Sequence, residues 1–567
     1  MRIPANLVAC AFAVSMVTTP VFALERPRLV LQITVDQRRG DLVKRELDRM
    51  GHGGFRYLLD KGVVYIDAHH AHANTETIVG HATLATGAYP SAHGMIGNVW
   101  YDRKLGRLVY NIEDPDYPIL SADAGVDQSG EIDPTQRVAK SDGRSPKAIL
   151  TSTFSDEMAI HYGPKSKIFA VSVKDRGAVS MGGHAGKAFW FSKKAGKFIT
   201  SKFYYEKIPY WVAKWNARRL PFAYAGTSWE LLLDRSSYRN ADLDDQPYET
   251  NLPGFGRVFP HPYGPADGKL FTTLVTTSPA GDELTVSFAK ALLEAKNLGQ
   301  DDVPDYLSVS LSSTDYVGHL FGPSSLESED QILRLDRTIA DLLGFVDEHV
   351  GLDKTLIVLS ADHGAADPPG YLNMLGIPAT YINPGAWNTV PGLVRIAKRF
   401  GLEDKKLISS YFHPYIYLNR EAIKEAGVSQ GDVEAAVAEE VMKLPGVGFA
   451  VASSALATGA YPDLPLIRSV LRNHNPARSG DVFVVFEPHS FINDFDGLTV
   501  AAHHGSPWNY DTFVPLIFAG HKLEARTVAR RVHTVDLAPT LAALLGTKPP
   551  SGSAGKPLLE VIESARD

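Results

Sequence analysis

The chain is almost without cysteine: a single thiol, Cys10, stands among 567 residues. One thiol makes no intramolecular disulfide. It also cannot supply a multi-thiolate metal site, so any zinc must be held by His, Asp, Glu or hydroxyl groups. An excess of positive charge is lacking too. Lys and Arg number 57 against 64 Asp and Glu, a net charge of −7, and no electrostatic argument for a nucleic-acid partner follows. No internal run is long and apolar enough to span a bilayer, so no membrane partner is expected. Internal repeats and low-complexity tracts are absent.

What is present is globular in composition, 44% hydrophobic and 21% charged. The length exceeds one ordinary domain, which predicts one large core carrying insertions. Residues 1–23 read as a leader. Met1-Arg2 gives a positive start, Leu7 to Val17 is apolar, and Val21-Phe22-Ala23 fits a small-x-small cleavage site. Cleavage after Ala23 is expected, and it removes Cys10. Leu7-Val8-Ala9-Cys10 has the look of a lipidation signal, but the apolar run follows the cysteine instead of preceding it, which argues against lipidation. Export without disulfides suits a bacterial periplasm, with secretion beyond it as the alternative.

From about residue 24 to 567 the pattern alternates. Arg28–Val35, Ile168–Val173, Tyr306–Ser312, Leu356–Ser360 and Val514–Phe518 read as buried strands. Gly54–Lys61, Ile78–Thr86, Ser328–His349 and Thr534–Leu545 read as helices. Alternation of this kind predicts an α/β fold with a central, mostly parallel sheet flanked by helices. Asp36, Lys174, Asp315 and Asp362 fall at or just beyond strand C-terminal ends, where such sheets bind ligands. Two stretches break the rhythm. An aromatic-rich segment at about 185–285, with Phe189-Trp190-Phe191 and Tyr204-Tyr205, is expected to form an inserted cap. A segment at about 380–480, with Tyr415–Leu418 and Val433–Lys443, is expected to form a smaller α+β lobe.

The chemistry-bearing residues are scattered. Asn74-Thr75-Glu76-Thr77-Ile78-Val79-Gly80-His81 places a hydroxyl at the start of a predicted helix. Metal coordination can activate a threonine hydroxyl, and a helix N-terminus favours the resulting negative charge. Asp315 and His319 are four apart, so on one helical turn both reach one cation. Asp362-His363 follows a strand, and His503-His504-Gly505-Ser506-Pro507 offers a further imidazole. With Asp36, this is a mixed N/O set that suits two zinc ions better than calcium or magnesium. If Lys174 and Arg176 sit just beyond a strand, alternation points both the same way. A guanidinium grips two phosphate oxygens, an ammonium adds a point charge, and an amide reaches a third oxygen. A monoester has three such oxygens and a diester two, so this set favours monoesters.

These motifs, in this order, resemble the alkaline phosphatase superfamily, and within it the bacterial branch that uses a threonine nucleophile. The resemblance spans most of the chain beyond the leader. It rests on Asp36, Thr77 in T-x-T-x-x-G-H, Asn98 after His93-Gly94-Met95-Ile96-Gly97, Lys174-Asp175-Arg176, Asp315 with His319, Asp362-His363, and His504 in H-G-S-P. It implies a phosphothreonine intermediate at Thr77. One zinc would be bound by Asp315, His319 and His504, the other by Asp36, Asp362, His363 and the Thr77 oxygen. Two metals ~3.5–4 Å apart clamp the attacking and leaving oxygens of an in-line displacement. Asn98, Lys174 and Arg176 would bind the phosphate. The lysine takes the place that other branches give to magnesium, so no magnesium requirement is expected. The expected function is that of a periplasmic alkaline phosphatase, a phosphomonoesterase acting on small molecules, monomeric and with an optimum above neutral pH.

Alternatives stand beside this reading. A phosphodiesterase or nucleotide pyrophosphatase of the same superfamily would share the metals but lack the Lys174–Arg176 pair. A sulfatase needs a C/S-x-P-x-R segment, which the chain beyond the leader lacks. An inactive, metal-containing periplasmic binding protein is the alternative of another class. Thr75 is the rival nucleophile, and His503 rivals His504. His81 is expected to pack or hydrogen-bond in the core. His69, His70 and His72 are expected on a strand with some imidazoles in solvent.

Overall fold

The computed structural model describes residues 26–565 except 122, 128 and 496. The expected leader, its expected cleavage site and Cys10 lie outside the described residues. The core is a ten-stranded sheet. In chain order its strands are β1 (Leu29–Val35), β2 (Val63–His69), β3 (Ile168–Ser172), β4 (Lys187–Ser192), β5 (Lys197–Ile199), β6 (Asp305–Leu311), β7 (Thr355–Ser360), β8 (Phe513–Gly520), β9 (Arg526–Val528) and β10 (Val532–His533). They lie in the order β9-β2-β8-β7-β1-β6-β3-β4-β5, and β10 pairs with β2. β1 is central and parallel to both neighbours, β6 and β7. Such a strand is covered on both faces, and all seven of its residues are buried.

Strand alternation divides β1 between two cores. Leu29, Leu31, Ile33 and Val35 pack with the helices Pro279–Lys296 and Leu326–His349. Val30 packs on the other face with Phe154–Tyr162 and Leu537–Leu545. The sheet is mostly parallel and flanked by helices, as the alternating pattern implies. β8 departs from that pattern by running antiparallel to β7 and β2. The reason is its point of entry. The chain arrives from the segment holding His504, at the end of the sheet where β1 and β7 finish, and can only run back.

The aromatic-rich stretch at about 185–285 begins inside the central sheet. β4 and β5 continue its edge, with Phe189 and Phe198 fully buried against Phe288. The segment at about 380–480 contributes three strands of a separate four-stranded antiparallel sheet, Ile408–Phe412, Tyr415–Leu418 and Val447–Ala452, and Val482–Phe486 completes it. This sheet packs helices Pro391–Arg399 and Gln430–Val441 around its own apolar cluster.

Three short helices start at the ligand end of the sheet: α1 (Thr77–Thr86), α2 (Asp175–Gly182) and α3 (Ser313–Phe321). α2 and α3 follow β3 and β6 almost directly. α1 is pressed against the loop after β7, where a Cβ on Gly80 would stand 1.9 Å from the Asp362 carbonyl oxygen. Only glycine permits that approach.

Candidate active site

The scattered acids and imidazoles converge beyond the ends of β1, β6 and β7. Asp36, Asp362 and His363 are fully buried and offer ligand atoms within 4.8 Å of one another, and so do Asp315, His363 and His504. Three of the imidazoles are oriented in the same way. His363 Nδ1 lies 2.9 Å from the Gly364 carbonyl, His319 Nδ1 2.8 Å from that of Ala502, and His504 Nδ1 2.8 Å from that of Thr75. An Nδ1–H donating to a carbonyl fixes the tautomer and leaves the Nε2 lone pair free for a cation. All three Nε2 atoms face carboxylates. His363 Nε2 is 3.5 Å from Asp36 and 3.4 Å from Asp362, and His319 and His504 lie 3.3 and 3.6 Å from Asp315 Oδ1.

The donor set fits bound cations. Neither oxygen of Asp36, nor Asp362 Oδ2, accepts a hydrogen bond from the described residues, although all are buried. Burial and the neighbouring Asp362 push the Asp36 carboxyl well above the usual range. Burial pushes Asp315 the same way, but His319 and Lys174 outweigh it and hold that carboxyl well below the usual range. Burial, and then the imidazoles beside it, keeps His504 well below its usual pKa, so it is neutral. Buried carboxylate oxygens that accept no hydrogen bond from the described residues, beside imidazoles whose Nε2 is left free, make an oxygen/nitrogen site of the kind zinc takes.

Thr77 is the first residue of α1. Its Oγ1 lies 3.5 Å from His363 Nε2 and 3.4 Å from Arg176 Nη2. Thr75 points elsewhere and donates to the Ser506 carbonyl at 2.9 Å. Asn98 accepts from the Ile78 backbone N–H at 3.0 Å, satisfying a free donor of the helix start. Its backbone N–H donates to Glu76 at 2.8 Å. Lys174 Nζ lies 2.9 Å from Asp36 and in contact with Asp315, so one ammonium stands between the two carboxylate clusters. Burial lowers its pKa, but Asp315 and Asp36 outweigh this and raise it.

Strand alternation is not what brings Lys174 and Arg176 together, contrary to the sequence expectation. β3 ends at Ser172. Lys174 is the extended residue before α2, and Arg176 lies in the first turn of that helix. The Arg176 guanidinium is 2.5 Å from Asp133 and 3.4 Å from the Tyr110 hydroxyl, and its buried Nε has no partner among the described residues. Tyr110 donates to Asp175 at 2.5 Å, and Arg144 meets the other Asp175 oxygen at 2.6 Å.

His81 is buried in the core, 2.9 Å from both the Thr77 carbonyl and Ser310 Oγ, and 3.0 Å from Asp362. The expectation that some of His69, His70 and His72 reach solvent is overturned, because all three are buried. His70 bonds the Ala361 carbonyl and Thr534, and His72 the Asn74 carbonyl. Only His69 is on a strand, as the last residue of β2, which is paired with β8 and β9; His70 and His72 lie in the segment between β2 and α1.

Gln37 escaped sequence reasoning. Its backbone is left-handed, with φ 61°. Its N–H donates to Asp362 at 3.1 Å and its side-chain amide to Asp315 at 3.0 Å, so one residue bridges both clusters. Asp133 also escaped notice, since nothing in its neighbourhood signals a partner 43 residues away. A cavity of about 660 Å³ opens above the site. Arg176, Asn98, His319 and His504 form its floor, and Trp387, Tyr411 and Phe412 from the second lobe form part of its wall.

Comparison with known proteins places this arrangement. Residues 30–507 match the type I phosphodiesterase / nucleotide pyrophosphatase family. The chain is 33% identical over 549 residues to alkaline phosphatase PafA of Elizabethkingia meningoseptica, covering 95% of each chain. It is 33% identical over 552 residues to alkaline phosphatase PhoV of Synechococcus elongatus, covering 95% of this chain and 93% of that one. A crystal structure of wild-type PafA superposes with a TM-score of 0.86 at 31% identity, over 95% of this chain and 100% of the other. The chain therefore belongs to the type I phosphodiesterase / nucleotide pyrophosphatase family of the alkaline phosphatase superfamily.

Proposed function

We propose that the protein is an exported, metal-dependent alkaline phosphatase that hydrolyses small-molecule phosphate monoesters through a covalent phosphothreonine at Thr77. One observation carries this reading: the Thr77 hydroxyl stands between an imidazole of the cation cluster, at 3.5 Å, and a guanidinium, at 3.4 Å. That is where a nucleophile, its activating cation and a bound phosphate would meet. The names borne by the relatives support it.

Asp36, Asp362, His363 and Thr77 would hold one zinc, and Asp315, His319 and His504 the other. When bound, such a pair supplies Lewis-acid chemistry that lowers the pKa of a hydroxyl or water and neutralises a leaving oxygen. The chain's own residues do the rest. α1 presents Thr77 Oγ1 with its N-terminal N–H groups behind it, which favours negative charge there. The oxygen attacks phosphorus, the bond to the leaving oxygen breaks, and the phosphoryl group passes to Thr77. Water then attacks the phosphothreonine and releases phosphate. The unpartnered Nε and the Nη2 edge of Arg176 suit a two-point grip on non-bridging oxygens. Asn98, oriented through Oδ1, has its NH2 end for a third. Lys174 stands where it neutralises Asp36 and Asp315 together, which supports two zinc ions without magnesium.

The second reading is a phosphodiesterase, favoured by the family's description and by room in the cavity for a second ester group. A chelated sample restored with zinc alone, then assayed on matched aryl monoesters and diesters, separates the two. Recovery without magnesium and a preference for the monoester are expected. Preference for the diester, or no recovery until magnesium is added, would refute this reading.

A further inference from the structure

The backbone beside His504 is fixed from two directions. The Ala502 carbonyl accepts from His319, and the His503 carbonyl accepts from the Ala366 N–H at 3.2 Å. His503 therefore has a set position. Its ring centroid lies 5.3 Å from that of His319 and 5.0 Å from that of His504, with Phe495 against it edge-on at 5.4 Å. One ring nitrogen from each of His319, His503 and His504 comes within 4.8 Å of the others, a spacing that could hold a metal ion. His503 Nδ1 is buried and has no hydrogen-bond partner among the described residues. A buried polar atom left without a partner is costly, and a cation is one remedy.

His319 and His504 each spend Nδ1 on a backbone carbonyl. Each has one nitrogen left, and that nitrogen is the one facing Asp315. The histidine trio and the Asp315 cluster share His319 and His504, and with one free nitrogen each these two residues cannot serve separate cations. We propose that His503 is a fourth protein ligand of the cation held by Asp315, His319 and His504 in the substrate-free protein. This rests on the proposed metal pair. A zinc with four protein ligands is coordinatively closed, whereas catalytic zinc keeps a position open. His503 would therefore yield its place when phosphate or water enters.

The test uses the full chain loaded with Co2+, whose visible bands report the number and kind of ligands. His503→Ala is compared with wild type, and His503→Phe serves as a variant that keeps the ring packing on Phe495. Chelator competition should show one of two cations bound roughly tenfold or more weakly in both variants, since even residues that merely orient ligands are worth that much. The visible bands should shift in both. With inorganic phosphate added, wild-type and variant spectra should converge, because His503 has left the metal in wild type and is missing from the variants. Unchanged affinity and bands in both variants would overturn the proposal while leaving the metal pair intact. Failure of wild type to bind any cation would overturn both.

Discussion

Removing the Arg176 guanidinium separates two effects that the structure joins. The group is 3% exposed, and its Nη1 lies 2.5 Å from Asp133, itself 5% exposed. Arg176→Ala leaves that carboxylate buried without its cation. Breaking a buried pair in this way destabilises by ~3–5 kcal/mol. The catalytic loss comes from the other edge, where two charge-assisted hydrogen bonds to a phosphate are worth ~1.5–3 kcal/mol each. Their sum, about 3–6 kcal/mol, corresponds to a loss of about 10²–10⁴ in kcat/KM for a monoester. A matched diester has one fewer charged oxygen for the clamp to hold and should lose less. The assay is kcat/KM on a matched aryl monoester and diester, with urea unfolding measured in parallel. Arg176→Ala combined with Asp133→Asn should recover much of the stability, since no unpaired charge remains, but none of the monoester rate. Equal losses on both esters, or recovery of monoester activity in the double variant, would refute the clamp assignment.

Other outcomes follow from the same geometry. Thr77→Ala should abolish the labelled phosphoenzyme trapped by acid quench, and metal content after dialysis should remain close to wild type; a trapped intermediate in that variant would move the nucleophile elsewhere. Gly318→Ala should imitate Gln37→Ala in metal retention, because a Cβ on Gly318 would stand 1.6 Å from Gln37 Oε1 and displace the amide that bridges the two clusters; full metal content in both would deny Gln37 a positioning role. Asp282 receives the Ser313 N–H at the start of α3 at 3.0 Å, and burial pushes its carboxyl up to about 7. Its folded pKa exceeds the unfolded one, so the native state binds the extra proton between pH ~4 and ~7, and stability falls there as pH rises, by at most ~1.4 kcal/mol per pH unit from this group. Asp282→Asn should flatten that part of the urea-unfolding profile, and an unchanged slope would show the group is not responsible.

The sequence by itself determined the fold class and singled out most of the residues that the structure brings together at the candidate site. Apolar strands ending in charged residues are a local signal, since a central parallel strand must be apolar on both faces and can turn polar only where it leaves the sheet. Asp315 and His319 were also legible, because the helical repeat alone puts residues four apart on one face. Tertiary structure decided the rest. It set Thr77, not Thr75, beside His363, through a helix start docked on the loop after β7 by way of Gly80. It joined Lys174 to Arg176 by a helix turn instead of strand alternation, and it buried His70 and His72 in the segment after β2, against the Ala361 and Asn74 carbonyls. Gln37 and Asp133 take their parts from contacts across 278 and 43 residues of chain. Side-chain chemistry and periodicity are properties of neighbours in sequence. Which lone pair meets which proton is settled only when distant segments are packed together.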